Sequence, residues 1–184
     1  LRRVLAQDIT AGNDLPLFNN SAVDGFAIRC ADLVQSSAVA RTLRVSADIR
    51  AGDDPGILLQ PGECARIMTG APLPSGADAV IMVEDTDFND RNPGTPAPAK
   101  VVINKEARLG ENIRFRGNDL HQGEKILGAG TRLRAQEIGL LAMLGISSLI
   151  VHRKPRLALL SSGDELLPLD APLTPGKIHD SNTY

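Results

Sequence analysis

Turn-forming clusters recur at short intervals along the first two thirds of this chain, and they constrain its fold more than any other feature. AGDDPG, QPGE, TGAPLPSGAD, NDRNPGTPAPAK and RLGE each separate short runs rich in Val, Ile and Leu. Punctuation of this kind predicts an antiparallel β domain, since Gly and Pro set the special backbone angles of turns while the runs between them pair as strands. The expected strands are CARIM (64–68), AVIMVED (79–85), KVVIN (100–104), NIRFR (112–116) and EKIL (124–127), with the Pro/Gly-rich 89–99 as an exposed hairpin tip. In TLRVSADIR (42–50), Leu43, Val45, Ala47 and Ile49 alternate with Arg44, Ser46, Asp48 and Arg50, the pattern of a half-buried strand. No internal repeat is visible.

The pattern changes after Gly128. RAQEIGLLAMLGI places Ile138, Leu141, Ala142 and Leu144 at helical spacing, with Gly145 where a left-handed cap belongs. Arg134 stands where Ser or Thr would be favoured as N-cap, although Glu137 suits the dipole of the first turn. Beyond Arg153, the run Leu157 to Leu160 predicts a strand covered on both faces in a mainly parallel sheet. Ser161, Ser162, Gly163, Asp164 and Glu165 follow it, and in open α/β sheets ligands bind outside the carboxyl ends of strands. A solvated turn fits the same five residues equally well.

Composition removes several classes of function. At 184 residues and 42% hydrophobic, the chain has enough apolar material for a core. Its formal charge of −2 and 3% aromatics argue against nucleic-acid binding by phosphate neutralisation or base stacking. No apolar run reaches bilayer-spanning length and no signal peptide is evident, so a soluble cytoplasmic protein with no membrane or nucleic-acid partner is expected. Cys30 and Cys64 stand apart without metal-ligand spacing and are expected as small core residues; the three histidines are scattered and receive no role. Both ends look cut, the chain starting at a leucine and stopping at DSNTY, where Asp180, Ser181 and Asn182 resemble the cap of a helix without a body.

Four segments carry candidate chemistry. In NNSAVDGFAIR, Asp-Gly predicts a turn, with Gly25 at positive φ and Asp24 bonding its own backbone, leading into a strand with Phe26 and Ile28 on one face. In TGAPLPSGAD, stiffened by two prolines, the amides of Thr69, Gly70 and Ala71 form a candidate anion nest, to which Thr69 adds a hydroxyl; a plain hairpin connection is the alternative. NIRFRGNDL sets Arg114 and Arg116 on one strand face, a pairing suited to phosphate but more often plain surface, and Asp119 follows its Gly-Asn turn. Asp24, Asp119, Asp164, Glu165 and Asp180 are acids close to turns, and hard oxygen ligands are what magnesium uses.

As a set, LPLFNNSAVDGFAIR, ARIMTGAPLPSGADAVIMVED, NIRFRGNDL, GAGTRL…LAMLGI and PRLALLSSGDELL…GKIHDSN resemble the molybdopterin molybdenumtransferase family, that of the bacterial MoeA proteins and the gephyrin E domain, in order and over nearly the whole chain. The resemblance implies insertion of molybdenum into adenylylated molybdopterin with release of AMP, the last common step of molybdenum cofactor biosynthesis, with molybdate as co-substrate and Mg2+ as cofactor. It also implies a homodimer and a molybdopterin-adenylylating partner enzyme. The fold class it implies is mixed α and β: an antiparallel β domain (23–119) inserted in a small helical and extended linker domain (1–22 and 120–152), followed by the first strand of a truncated α/β, molybdopterin-binding domain (153–184).

By position, the resemblance makes Asp24, Thr69, Asp119 and Glu165 catalytic, with Asp24, Asp119 and Glu165 as metal ligands and Thr69 as a hydrogen-bond donor. Arg116, Ser162, Gly163, Asp164, Asp180, Ser181 and Asn182 are then substrate-binding. The family's second glycine-rich motif and its lysines would lie beyond Tyr184, so the chain alone is expected to fold in its β and helical parts without catalysing the full reaction. A dimerising, protein-binding scaffold module is the alternative function.

Overall fold

A computed structural model describes residues 2–34, 40–90 and 94–183, and it is mostly β with few helices. Its elements in chain order are β1 (Ile9–Thr10), β2 (Asn20–Ser21), β3 (Gly25–Ile28), α1 (Ala31–Val34), β4 (Arg41–Ile49), β5 (Glu63–Ile67), β6 (Ala79–Met82), β7 (Lys100–Ile103), β8 (Ile113–Arg114), β9 (Lys125–Leu127), α2 (Ala135–Met143), β10 (Leu166–Leu167) and β11 (Ile178–His179). Residues 91–93 of the expected hairpin tip lie outside the described residues.

Five strands form the central sheet in the order β6-β3-β5-β4-β7. Three of its pairings are antiparallel as expected, but β4 and β5 run parallel. The two turn clusters between them, AGDDPG and QPGE, carry the chain back across the sheet rather than reversing it once, and a parallel pair needs a crossover of about that length. Leu59 anchors this connection in the core at 1% exposure.

Strict alternation in β4 predicted one buried face for Leu43, Val45, Ala47 and Ile49. The register instead shifts between Val45 and Ala47. An extra residue in a strand turns the following side chains to the other face. Leu43 and Val45 accordingly pack with Phe26, Ile28, Cys64 and Ile81, whereas Ala47 and Ile49 pack with Ala27, Ala65, Ile67 and Val80. Both faces of the sheet are therefore covered. Cys30 and Cys64 are buried and unbonded to each other, as expected, and burial pushes both thiols up to about 12.

The third cluster joins Leu5, Ile9, Leu133 and Leu141, tying the N-terminal segment to α2. That helix solves its poor N-cap locally: the Glu137 carboxylate accepts the Arg134 amide at 2.9 Å and the Arg134 guanidinium at 2.6 Å. Gly145, at φ +69°, closes the other end as expected, with its amide on the Ala142 carbonyl and the Ile146 amide on that of Leu141. Of the predicted apolar stripe only Leu141 is buried; Ile138 and Ala142 face solvent.

Three expected strands are corrected. AVIMVED is a strand only over Ala79–Met82, and Val83–Asp85 turn into a short 3-10 helix. NIRFR narrows to β8, paired with β2, and the chain then turns at Gly117. Residues 157–160 form no strand, and Leu157 and Leu160 are 84% and 95% exposed. A continuous apolar strand is stable only with neighbours on its edges and faces, and the described residues supply none there. No helix among the described residues is long and apolar enough to cross a membrane.

Candidate functional site

Asp24 and Thr69, 45 residues apart, meet because β3 and β5 are neighbours. Gly25 faces Ile67 across that antiparallel ladder, so the residues just beyond its end lie side by side. Asp24 Oδ1 accepts both the Thr69 amide and the Thr69 hydroxyl, each at 2.7 Å. The carboxylate makes no other hydrogen bond among the described residues, which leaves Oδ2 open. The amide bond first, then the hydroxyl, hold the Asp24 carboxyl below the usual carboxylate range, with the Arg66 charge acting the same way and partial burial opposing. An ionised, exposed, one-sided carboxylate is suited to hold a cation or orient an oxygen rather than to donate a proton.

Gly25 is not the turn residue that the Asp-Gly pair predicted. It is the first residue of β3, and a Cβ there would lie 1.9 Å from the Ile81 carbonyl oxygen. Close approach of the β6 backbone, rather than a positive φ, is what requires glycine at this position.

The expected anion nest does not form. The Thr69 amide is spent on Asp24, the Gly70 amide on the Ser21 carbonyl at 2.8 Å and the Ala71 amide on the Met68 carbonyl at 2.9 Å. A nest binds anions only with free donors. The Thr69 hydroxyl is likewise committed, so its hydrogen goes to Asp24 rather than to a ligand.

Asp24 and Thr69 open into a cleft of about 400 Å3, whose walls also carry Arg66, Glu84, Phe88 and Asp90. Arg66 projects from β5 opposite Phe26, on the same sheet face. No sequence motif singled it out, although it stands inside ARIMTGAP; only the β3–β5 register places it here.

The remaining expected residues lie elsewhere on the chain. Asp119 is ion-paired with Arg114, and Arg116 donates to Asp14 at 2.6 Å, so the two arginines serve different acids. Gly163 and Asp180 line a separate hollow with Ser161. Asp180 accepts the Thr183 hydroxyl and the Asn182 amide, which hold its carboxyl below the usual range, hydroxyl first. Ser162, Asp164, Ser181 and Asn182 are exposed around it, and Lys177 donates to the Asp164 carbonyl. Glu165 is exposed beside Gly163, its carbonyl accepting the Ile178 amide. Among the described residues no three acids, histidines or cysteines gather as a metal cluster, so Asp24, Asp119 and Glu165 do not form one within this chain.

A family model described as the MoeA N-terminal region (domain I and II) matches residues 1–145. The chain is 42% identical over 183 residues to a molybdopterin molybdenumtransferase of Nostoc sp., covering 99% of this chain and 40% of that protein. It is 39% identical to the protein of the same name from Bacillus subtilis, covering 99% and 42%. A crystal structure of a molybdopterin biosynthesis moeA protein from Pyrococcus horikoshii OT3 superposes with a TM-score of 0.85 at 34% identity, over 100% of this chain and 47% of that one. The chain thus spans about two fifths of the length of these curated relatives.

Proposed function

The chain belongs to the MoeA N-terminal region family, and on that premise we propose that it is part of an enzyme that inserts molybdenum into adenylylated molybdopterin with release of AMP. One observation carries the reading: Asp24 and Thr69, distant in sequence, converge at an open cleft with the carboxylate ionised and half free. The names of the relatives support molybdenum cofactor biosynthesis as the setting. On this reading residues 23–119 act as a unit inserted between the two parts of the linker domain, and a second copy of the protein completes the site with the parts that these residues lack. An adenylylating enzyme supplies the substrate.

Within this scheme the chain's own residues bind and orient. Asp24 offers Oδ2 to a cation, Thr69 keeps that carboxylate ionised and fixed, and the cleft walls limit the approach of the phosphate-bearing substrate. Magnesium fits the donor set, since it keeps several waters and takes one or two carboxylates together with phosphate oxygens. Asp24 would be its ligand here, and the chemistry it supplies is neutralisation of charge on the pyrophosphate link. Asp119 and Glu165 join the site on this reading only if the partner copy or the remaining domains bring them there.

Complementation of a cofactor-deficient strain by the full-length gene tests the proposal. Asp24→Asn is expected to abolish cofactor formation while leaving the protein folded and the dimer intact. Cofactor formation by D24N at the wild-type level would overturn it.

A further inference from the structure

We propose that Arg66 is the anion contact of the Asp24 cleft, taking a phosphate-type oxyanion of the substrate on the free edge of its guanidinium. This rests on the cleft being the substrate site. The donors that TGAPLPSGAD offered for an anion are used up by the fold: the amides of residues 69–71 and the Thr69 hydroxyl all have partners within the chain. Among the described residues that line the cleft, Arg66 is the one cation, beside the carboxylates of Asp24, Glu84 and Asp90.

Arg66 is also held in place beforehand. Its guanidinium lies 5.2 Å from the centroid of the Phe88 ring, and Phe88 in turn stands edge-on to Phe26 at 6.0 Å. One terminal nitrogen donates to the Thr95 carbonyl at 2.6 Å, and Nε lies 3.9 Å from Asp48. The other terminal nitrogen makes no hydrogen bond among the described residues. With its side chain 12% exposed, the group has little rotamer freedom left to lose when a ligand arrives. Stacking on an aromatic face and a planar fork of donors are the features by which arginine, rather than lysine, receives phosphate oxygens.

Titration of the 15N-labelled chain with inorganic pyrophosphate in the presence of magnesium reads the contact directly at the Arg66 Nε–Hε signal. A saturable shift there is expected, with binding about tenfold or more weaker in Arg66→Gln and intermediate in Arg66→Lys, which keeps charge without the fork. Signals of residues 95–99 that move in R66Q without a change in pyrophosphate affinity would mark a purely structural role and overturn the proposal. An Arg66 signal in the wild-type chain that ignores pyrophosphate would overturn it as well, whether or not the variants fold. Complementation by D24N separates this from the function itself: Asp24 essential with Arg66 silent sinks only the Arg66 contact, while Arg66 responsive with Asp24 dispensable sinks the enzyme assignment and leaves an anion site.

Discussion

Thr69 reaches Asp24 through one oxygen only, and both of its donors go there. It is therefore a positioning residue for Asp24, which differs from the ligand-facing donor that its motif suggested. Thr69→Val removes the hydroxyl and keeps the amide, so the Asp24 carboxyl should titrate closer to the ordinary range, read from its carboxyl carbon by NMR; Thr69→Ser should leave it near the wild-type position. A T69V titration superimposable on wild type would remove the hydroxyl from the account. At the neighbouring residue, Gly25→Ala drives a methyl into the Ile81 carbonyl, and the overpacking should cost roughly 1–3 kcal/mol or more, seen as a lowered midpoint in urea unfolding. Asp24 was legible in the sequence because its motif is. The reason for Gly25 was not, since the Ile81 carbonyl lies far along the chain and only strand order brings it close.

At the level of elements, α2 depends on a single acid. Hydrogen bonding from the Arg134 side chain, then from the Arg134 amide, holds Glu137 at about 2, against an ordinary value of 4.5, while burial opposes. A folded-state value below the unfolded one adds stability that is fully present above about 4.5 and is lost as the pH falls towards 2. Glu137→Gln should therefore lower thermal stability at neutral pH and flatten its decline between those values, as followed by circular dichroism melts across that range. The helix and most strands were visible in advance because periodicity and turn chemistry are local properties. The bulge in β4 was not: Leu43 to Ile49 alternate perfectly, and what moves Ala47 and Ile49 to the opposite face is the pairing of β4 with β5, a partner in a parallel crossover.

Across the whole molecule, the sheet is covered on both faces whereas the C-terminal third presents apolar side chains to water. Leu157 and Leu160 head that exposed set, with Ile138, Met143 and Ile150 on and near α2. Exposed patches of this sort mark surfaces made for a partner or for further chain, and the relatives are more than twice as long as these residues. The 184-residue chain should self-associate in sedimentation analysis, and replacing both Leu157 and Leu160 with Ser should reduce it without shifting the urea midpoint of the sheet. Unchanged association in the double variant would place the sticky surface elsewhere. By itself the sequence determined the β character, the turns and the α2 helix, because each rests on neighbours within a few residues, and it marked Asp24 as a candidate through a motif read whole. Only the tertiary structure decided that Thr69 serves Asp24, that the amides of 69–71 are spent, that Arg66 faces the same hollow and that Asp119 is paired away from it. Those outcomes hang on strand order and register, where each donor finds its partner tens of residues away, and local pattern carries no record of that pairing.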